Sequence, residues 1–269
     1  MNKLDAAACA TLLQPITDIA ARAALIVRAA SGNGEVRNKA DGSPVTAADL
    51  AADAAIRAGL AAAAPNLPIL SEEQAHRRDA PAAESYFLVD PLDGTREFIA
   101  GRDEYTINIA LMTGRFPQLG VIAAPALGLI WRGILSRGSE RMAFAADGKI
   151  MPASPIHTRP LPQRECVVVV SRSHTDARTQ AYVDALPQAR AMACGSALKF
   201  CRIAEGLADL YPRLAPTRDW DVAAGHAIVE AAGGRVLAPD GAALRYGTAG
   251  LLIPGFIAAG APNNTWVKG

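Results

Sequence analysis

From residue 88 the chain reads Leu88-Val89-Asp90-Pro91-Leu92-Asp93-Gly94-Thr95-Arg96-Glu97-Phe98. Two acids, Asp90 and Asp93, lie three residues apart and are followed at once by a glycine and a hydroxyl. The apolar run from Tyr86 to Val89 predicts a buried strand that ends at Asp90, and Pro91 makes the turn after it stiff. Such a turn can aim Asp90, the Leu92 carbonyl and Asp93 at one point, and three converging oxygens suit Mg²⁺.

The residues that follow these acids favour phosphate chemistry. Gly94 allows a ligand to approach the backbone closely, and the amides after it can face an anion. A metal ion beside an anion cradle is the arrangement that phosphate chemistry needs. The alternative is an ordinary Asp-Pro-x-Asp-Gly surface turn, and this stretch alone leaves that alternative open.

Three further segments place acids at the edge of apolar or helical elements. They are Ile69-Leu70-Ser71-Glu72-Glu73, the helix-opening segment from Asp41 to Asp49, and Asp219-Trp220-Asp221 before an alanine-rich stretch from Val222 to Ala232. Solvated surface charges do not explain so regular an arrangement.

The four segments, in this order and spacing, resemble the motifs of the Mg²⁺-dependent, lithium-sensitive phosphatase family of inositol monophosphatase and fructose-1,6-bisphosphatase. The resemblance covers roughly Leu4 to Val236. The segment from Gly195 to Arg213, with the segment from Trp220 to His226, is similar to the bacterial 3′(2′),5′-bisphosphate nucleotidase branch. The implied reaction is the hydrolysis of the 3′-phosphate of adenosine 3′,5′-bisphosphate to AMP and phosphate. An inositol- or sugar-phosphate phosphatase and a catalytically silent nucleotide-binding protein are the alternatives.

The resemblance also implies a set of metal ligands. Glu72, Asp90 and the Leu92 carbonyl would hold one Mg²⁺, and Asp90, Asp93 and Asp221 would hold a second, so that Asp90 bridges the two ions. Glu72 would also position the attacking water and share a looser third ion, which lithium would displace. Mn²⁺ is a possible substitute, because it accepts the same oxygen ligands.

Thr95 and Asp49 are the implied partners in activating the water. Thr95 would help to deprotonate it and Asp49 would accept from Thr95, while the amides of Gly94 and Thr95 bind the scissile phosphate. Each residue also has a structural alternative. Thr95 is a suitable N-cap for a helix over residues 96–99, and Asp49 is a suitable capping-box partner of Thr46.

Substrate choice is assigned to the second half of the chain. Gly195 and Ser196 can open a helix that binds a phosphate or a ribose hydroxyl, and Lys199 and Arg213 can neutralise a second phosphate. The alternatives are a solvated Lys199 and an Arg213 in a turn. The chain has Ala215 where the branch usually has glycine and Asp219 where it usually has glutamate, which concerns substrate preference and leaves the metal ligands intact.

The remaining acids receive structural roles. Glu73 is predicted to support the metal site without contacting the ion, Asp53 to lie on the surface of its helix, and Asp219 to cap a helix. His226 is predicted to be packed or exposed, without a metal.

Composition and pattern set the fold class. The 269 residues have a net charge of +1, which argues against a broad surface for a nucleic acid polymer. Helices and a strand meander precede residue 150, and strands alternate with helices after a proline-rich linker from Met151 to Arg164, so the pattern predicts an α+β first half (residues 1–150) and an α/β second half (residues 151–269). The resemblance implies a layered αβαβα sandwich with the active site between these halves.

The chain carries no predicted signal peptide or transmembrane segment, because charged residues interrupt its apolar N-terminal stretch. A cytoplasmic location is therefore expected, with peripheral association with the inner membrane face open. The four cysteines lack metal-binding spacing and are expected to be free buried thiols. The pattern does not choose between a monomer and a homodimer.

Overall fold

The computed structural model describes residues 4, 6–31, 36–38, 42, 44–74, 83–135, 137–162, 165–172 and 176–260. Two predicted positions, Asp41 and the end of the linker at residues 163–164, lie outside this part of the chain.

The chain begins with two helices joined through a small hairpin. These elements are α1 (Ala6–Ala29), β1 (Val36–Asn38), β2 (Pro44–Thr46) and α2 (Ala47–Ala63). Helix α1 continues through Pro15 as one helix, since its apolar face packs on α2 and on a sheet. Helix α2 begins at Thr46, which forms a capping box with Asp49.

A seven-stranded sheet follows, with the order β3-β4-β5-β6-β7-β8-β9. Only β3 and β4 are parallel, and each later strand pairs antiparallel with the one before it. The elements are β3 (Ile69–Ser71), β4 (Ser85–Asp93), α3 (Thr95–Ile99), β5 (Thr106–Thr113), β6 (Phe116–Ala124), β7 (Leu129–Ile134), β8 (Gly138–Ala143) and β9 (Ser154–Ile156).

The remainder alternates strands and helices and builds a five-stranded sheet. The elements are β10 (Val167–Ser171), α4 (Ala177–Asp184), β11 (Arg190–Cys194), α5 (Leu198–Ala204), β12 (Leu210–Arg213), β13 (Thr217–Arg218), α6 (Asp219–Ala231), β14 (Arg235–Leu237), β15 (Leu252–Ile253) and β16 (Phe256–Ala259). The order of the sheet is β11-β10-β12-β16-β14, and β13 pairs with β15.

Three buried clusters show how these elements stack. Helices α1 and α2 pack on one face of the first sheet. Helices α5 and α6 lie between its other face and the second sheet. Residues of α4 pack on the outer face of the second sheet. The layers therefore run helix, sheet, helix, sheet, helix, and the predicted αβαβα sandwich is confirmed.

Sequence pattern and structure agree on the main elements and differ at their edges. The predicted linker contains β9, which completes the first sheet by pairing with β8. The prediction missed β1, β2, β13, β15 and β16, which are short and lack a periodic pattern of their own. The first sheet spans residues 69–156 and the second spans residues 167–259. The division into halves at residue 150 stays a prediction.

One described helix, residues 7–29, is long and apolar enough to cross a membrane when judged by length and composition alone. It lies near the N-terminus, and 44% of its most apolar window is buried inside the structure. Ile16, Ala20 and Val27 belong to the core beneath the first sheet. The predicted absence of a transmembrane segment and the cytoplasmic location stay predictions.

Helix α6 approaches the first sheet closely at Gly120. A Cβ at this position would lie 2.2 Å from the carbonyl oxygen of Ala224, which is backbone and has no side-chain freedom to move. We therefore expect Gly120→Ala to push α6 from the sheet and to lower Tm by roughly 5 °C or more. Thermal unfolding followed by circular dichroism measures this.

Gly114→Ala is the control for this substitution. It adds the same methyl group where no atom lies within 4 Å, at a backbone φ of +59°. Its expected effect is the smaller one of a strained turn residue. A loss of Tm at Gly114→Ala as large as that at Gly120→Ala would contradict the packing argument.

Candidate active site

Strand β4 carries two of the predicted acids, Asp90 and Asp93, and it does not end at the first of them. It continues through Pro91, with a shift of register against β5 between Asp90 and Asp93. The predicted stiff turn is therefore wrong, and a bulge in a strand takes its place. Proline is tolerated at a bulge, where the ladder of hydrogen bonds is already interrupted. The bulge redirects the chain so that both acids face one cleft.

The cleft has a volume of about 310 Å³ and lies between the two sheets' strand ends and helices α3, α5 and α6. Its lining includes almost every residue predicted for the site: Glu72, Asp90, Leu92, Asp93, Gly94, Thr95, Gly195, Ser196, Lys199, Arg213 and Asp221. The remaining predicted residue, Asp49, contacts Thr95.

Three carboxylates converge in this cleft. Glu72 begins a short 3₁₀ helix after β3, Asp90 lies on β4, and Asp221 lies in the first turn of α6. One oxygen from each lies within 4.8 Å of the others. Carboxylate oxygens so placed are the ligands that hard divalent cations prefer. The donor set therefore fits a metal ion.

Electrostatics supports the same interpretation. Burial and the charges of Glu72, Asp93 and Asp221 raise the pKa of Asp90 well above its usual range. Burial and Asp221 raise the pKa of Asp93, and Lys199 lowers it in part. Buried acids that repel one another are stabilised by a cation between them.

Asp221 is aligned by its own helix start. Its carboxylate accepts a hydrogen bond from the Arg218 backbone N–H, at 3.1 Å, and another from the Thr217 hydroxyl. Asp221 therefore accepts the N–H of the N-cap residue of α6 while it lines the cleft. Asp219, predicted to be a cap, is instead the first residue of α6, and its carboxylate accepts from the backbone N–H of Gly247. Burial raises the pKa of Asp219 to about 6.

Thr95 and Asp49 meet as predicted. The Thr95 hydroxyl lies 3.2 Å from Asp49 Oδ1 and 3.2 Å from the Leu92 carbonyl oxygen, so it can donate to either. Asp49 Oδ2 accepts from the backbone N–H and the hydroxyl of Thr46, at 2.8 and 2.6 Å. Asp49 thus caps α2 and contacts Thr95 at the same time. Thr95 itself is the first residue of α3, and Gly94, with φ of +91°, is the N-cap, so the N-cap interpretation of Thr95 is wrong.

The opposite wall of the cleft presents the predicted substrate residues. The Ser196 hydroxyl donates to Asp93 Oδ2 at 2.7 Å. Lys199 is buried, and its ammonium donates to the carbonyls of Ser196 and Cys194. The alternative of a solvated Lys199 is therefore wrong. The predicted helix opening is also shifted, because α5 begins at Leu198.

Arg213 ends strand β12 and faces the same cleft. Burial lowers the pKa of Arg213, but Tyr211, Asp221 and Asp93 together outweigh burial, so that the pKa is raised. Its buried Nε makes no hydrogen bond to any of the described residues. A buried donor without a partner is unfavourable, so this atom is available to an anionic ligand.

Asp53 is a residue whose importance the sequence pattern did not reveal. It was predicted to lie on the surface, but it is buried and accepts a hydrogen bond from the Ser71 hydroxyl, at 2.5 Å. Ser71 directly precedes Glu72, so the hydrogen bond from Ser71 to Asp53 fixes the backbone next to Glu72, one of the three clustered carboxylates. The available signal was the spacing from Asp49, which places both acids on one face of α2.

Other predictions about single residues are confirmed. The four cysteines are free and buried. His226 is buried and its Nδ1 lies 2.8 Å from the Tyr246 hydroxyl, so it is a packed residue.

The fold and this site define a class of protein. Residues 9–264 match the model of the inositol monophosphatase family, and the chain belongs to this family. The predicted resemblance is thereby confirmed.

Individual relatives narrow the comparison. The chain is 44% identical over 222 residues to the 3′(2′),5′-bisphosphate nucleotidase CysQ of Shigella flexneri, covering 79% of this chain and 83% of the relative. It is 43% identical over 219 residues to the nucleotidase of the same name from Escherichia coli K12, with the same coverage.

Solved structures give the same picture of the fold. The crystal structure of CysQ from Bacteroides thetaiotaomicron superposes with a TM-score of 0.79 at 33% identity, covering 93% of this chain and 97% of that one. An inositol monophosphatase from Anabaena gives a TM-score of 0.74 at 25% identity, covering 96% and 94% of the two chains.

The acid cluster should make the stability of the protein depend on cation and pH. Because burial and repulsion raise the pKa of Asp90, the folded metal-free protein binds more protons than the unfolded chain above about pH 4. The Tm of the metal-free protein should therefore fall as pH rises from about 4 through the raised pKa of Asp90. A divalent cation should reverse that fall. Thermal scans in EDTA and in Mg²⁺ measure both effects.

Asp90→Asn removes one of the repelling charges. At neutral pH the metal-free variant should unfold at a higher temperature than the metal-free wild type, and the cation should raise its Tm less. Asp147→Asn, a surface substitution outside the cleft, should behave as the wild type. An unchanged response to the cation in Asp90→Asn would argue against a metal at this cluster.

Proposed function

We propose that this protein is a Mg²⁺-dependent phosphatase that hydrolyses the 3′-phosphate of adenosine 3′,5′-bisphosphate to AMP and phosphate. The observation that carries the proposal is the convergence of Glu72, Asp90 and Asp221 in a cleft that also contains Lys199 and Arg213. The nucleotidases to which the chain is 43–44% identical support the choice of substrate.

The metal ligands are assigned as the family resemblance implies. Glu72, Asp90 and the Leu92 carbonyl would hold one Mg²⁺, and Asp90, Asp93 and Asp221 would hold another, with a looser third ion near Glu72. When bound, Mg²⁺ offsets the charge of the phosphate dianion, lowers the pKa of a water and stabilises the leaving oxygen. Mn²⁺ is a possible substitute.

Protein groups orient the water and the phosphate. Glu72 accepts a hydrogen bond from the attacking water and fixes its direction. Thr95 Oγ1 takes a proton from this water while its own proton moves towards Asp49 Oδ1, which lies 3.2 Å away. A threonine hydroxyl is a weak base, so its contribution depends on this contact with Asp49. The amides of Gly94 and Thr95 bind the scissile phosphate.

The second phosphate is assigned to the opposite wall. Arg213 is the stronger candidate, because its buried Nε has no acceptor among the described residues. Lys199 already donates to the carbonyls of Cys194 and Ser196 and so fixes the backbone around Ser196. Its positive charge also contributes to the electrostatics of the cleft. An inositol monophosphate has no second phosphate for these cations to neutralise.

The substrate is tested by comparing phosphate release from adenosine 3′,5′-bisphosphate and from inositol 1-phosphate in the presence of Mg²⁺. We expect a higher kcat/KM for the nucleotide. Arg213→Gln should raise KM for the nucleotide about tenfold, because it removes a charge-assisted contact to phosphate. Arg178→Gln, on the exposed face of α4, is the matched control. Preference for the inositol ester would assign the protein to the alternative phosphatase function, and release from neither would favour a silent nucleotide-binding protein.

The metal assignment predicts the effect of Asp93→Asn. This substitution removes one ligand charge at the cleft surface, so kcat should fall by roughly a hundredfold while the fold is retained. Phosphate release and circular dichroism measure the two properties. A kcat close to that of the wild type would show that Asp93 is not a metal ligand.

Lithium gives an independent test of the third ion. Millimolar Li⁺ should inhibit phosphate release, because it competes for the most weakly held cation. Inhibition should weaken as Mg²⁺ is raised only if the two ions share a position. Activity that does not change in Li⁺ would contradict the three-ion arrangement.

A further inference from the structure

An ion pair joins the two walls of the cleft at its rim. Glu104 lies between α3 and β5, and Arg172 directly follows β10. Arg172 Nε donates to Glu104 Oε2 at 2.7 Å, and a second guanidinium nitrogen donates to Oε1 at 2.8 Å. The pair is thus bidentate, which fixes orientation as well as distance. Neither residue is among the metal ligands.

The same carboxylate also holds the backbone of the substrate wall. Glu104 Oε2 accepts a hydrogen bond from the Gly195 N–H at 3.0 Å, and Arg172 donates to the Ala193 carbonyl at 3.1 Å. A Cβ at position 195 would lie 2.7 Å from the Glu104 carbonyl oxygen. Glycine is therefore required here for Glu104 to approach so closely.

The consequence appears at the next residue. Ser196 has a φ of +52°, in the left-handed region that a residue with a Cβ seldom adopts. Its hydroxyl donates to Asp93 and contacts the Thr106 hydroxyl. The Lys199 ammonium donates to the Ser196 carbonyl at 2.6 Å. The conformation of Ser196 is thus imposed by its neighbours, and Glu104 is the neighbour that anchors the preceding amide.

We propose that Glu104, held by Arg172, is a positioning residue that sets the place of Gly195 and Ser196 and thereby the affinity of the site for its nucleotide. This inference rests on the proposed function for the identity of the ligand. Gly195 and Ser196 line the cleft, whereas the carboxylate of Glu104 acts through them.

A purely stabilising role does not account for this arrangement. The side chains of Glu104 and Arg172 are 24% and 40% exposed, and exposed ion pairs add little to stability. The pair Arg132–Glu140 has a comparable Nε to Oε2 distance, 2.9 Å, but the other hydrogen-bond partners of Arg132 are Gln14 and Thr17, which do not line the cleft. It supplies a matched control.

The first experiment measures steady-state kinetics and Tm of Glu104→Ala, Glu104→Gln and the control Glu140→Gln. Glu104→Ala should raise KM for adenosine 3′,5′-bisphosphate about tenfold and leave kcat within about threefold, because it displaces binding groups and removes no metal ligand. Glu104→Gln keeps an acceptor for the Gly195 N–H and should recover part of the affinity. Glu140→Gln should match the wild type. The proposal would be overturned if KM were unchanged in Glu104→Ala. It would also be overturned if any loss of activity in this variant were explained by its lower Tm alone.

The second experiment needs no substrate. Hydrogen–deuterium exchange followed by mass spectrometry should show faster exchange over residues 193–197 in Glu104→Ala and unchanged exchange there in Glu140→Gln. Exchange that is the same in both variants would refute the positioning role even if the protein hydrolyses the nucleotide. A third outcome is possible, in which exchange is faster in Glu104→Ala but the wild-type protein does not hydrolyse nucleotide bisphosphates. That outcome would support the positioning role of Glu104 and refute the proposed substrate.

Discussion

Repulsion among clustered carboxylates, one of them buried, is the constraint on which the rest of this structure depends. Glu72, Asp90 and Asp221 come from three separate segments, and their oxygens lie within 4.8 Å of one another. Such a cluster is unfavourable in a fold without a cation, and the raised pKa of Asp90 shows the direction of that effect. The surrounding elements must hold the charges in place against this repulsion. A divalent ion bound at this cluster would relieve the repulsion, and its charge would offset the negative charge of a phosphate ester.

Each acid is held by a local device of a different kind. Asp90 is directed by the bulge in β4, and Asp221 is the capping acid of α6. Glu72 follows Ser71, whose hydroxyl is bound by the buried Asp53. Backbone geometry and hydrogen bonds thus fix the carboxylates before any ligand arrives. Placing α6 between the two sheets allows Asp221 to reach the acids of the first sheet, and the close contact at Gly120 sets that distance.

The two walls of the cleft have opposite charge. One wall carries the acids, and the other carries Lys199 and Arg213. Under the proposed function, an ester with two phosphates would meet the metal ions with one phosphate and these cations with the other. Ser196 lies at the junction, where its hydroxyl donates to Asp93. The ion pair between Glu104 and Arg172 anchors the N–H of Gly195, the residue before Ser196. Because this pair connects the segments on both sides of the cleft, it fixes the wall with Ser196 relative to the wall with the acids.

The sequence alone determined the acids, their order and the main helices and strands, because residue type, capping pattern and apolar period are local properties. The contact of Thr95 with Asp49 was also predictable, but only through the family resemblance. Tertiary structure decided the rest. It buried Asp53 and turned the ammonium of Lys199 onto nearby carbonyls, and it brought Glu104 to an amide 91 residues away. The contacts of Asp53 and Glu104 join segments that no local pattern relates, and Lys199 is turned inward because its helix packs between the two sheets.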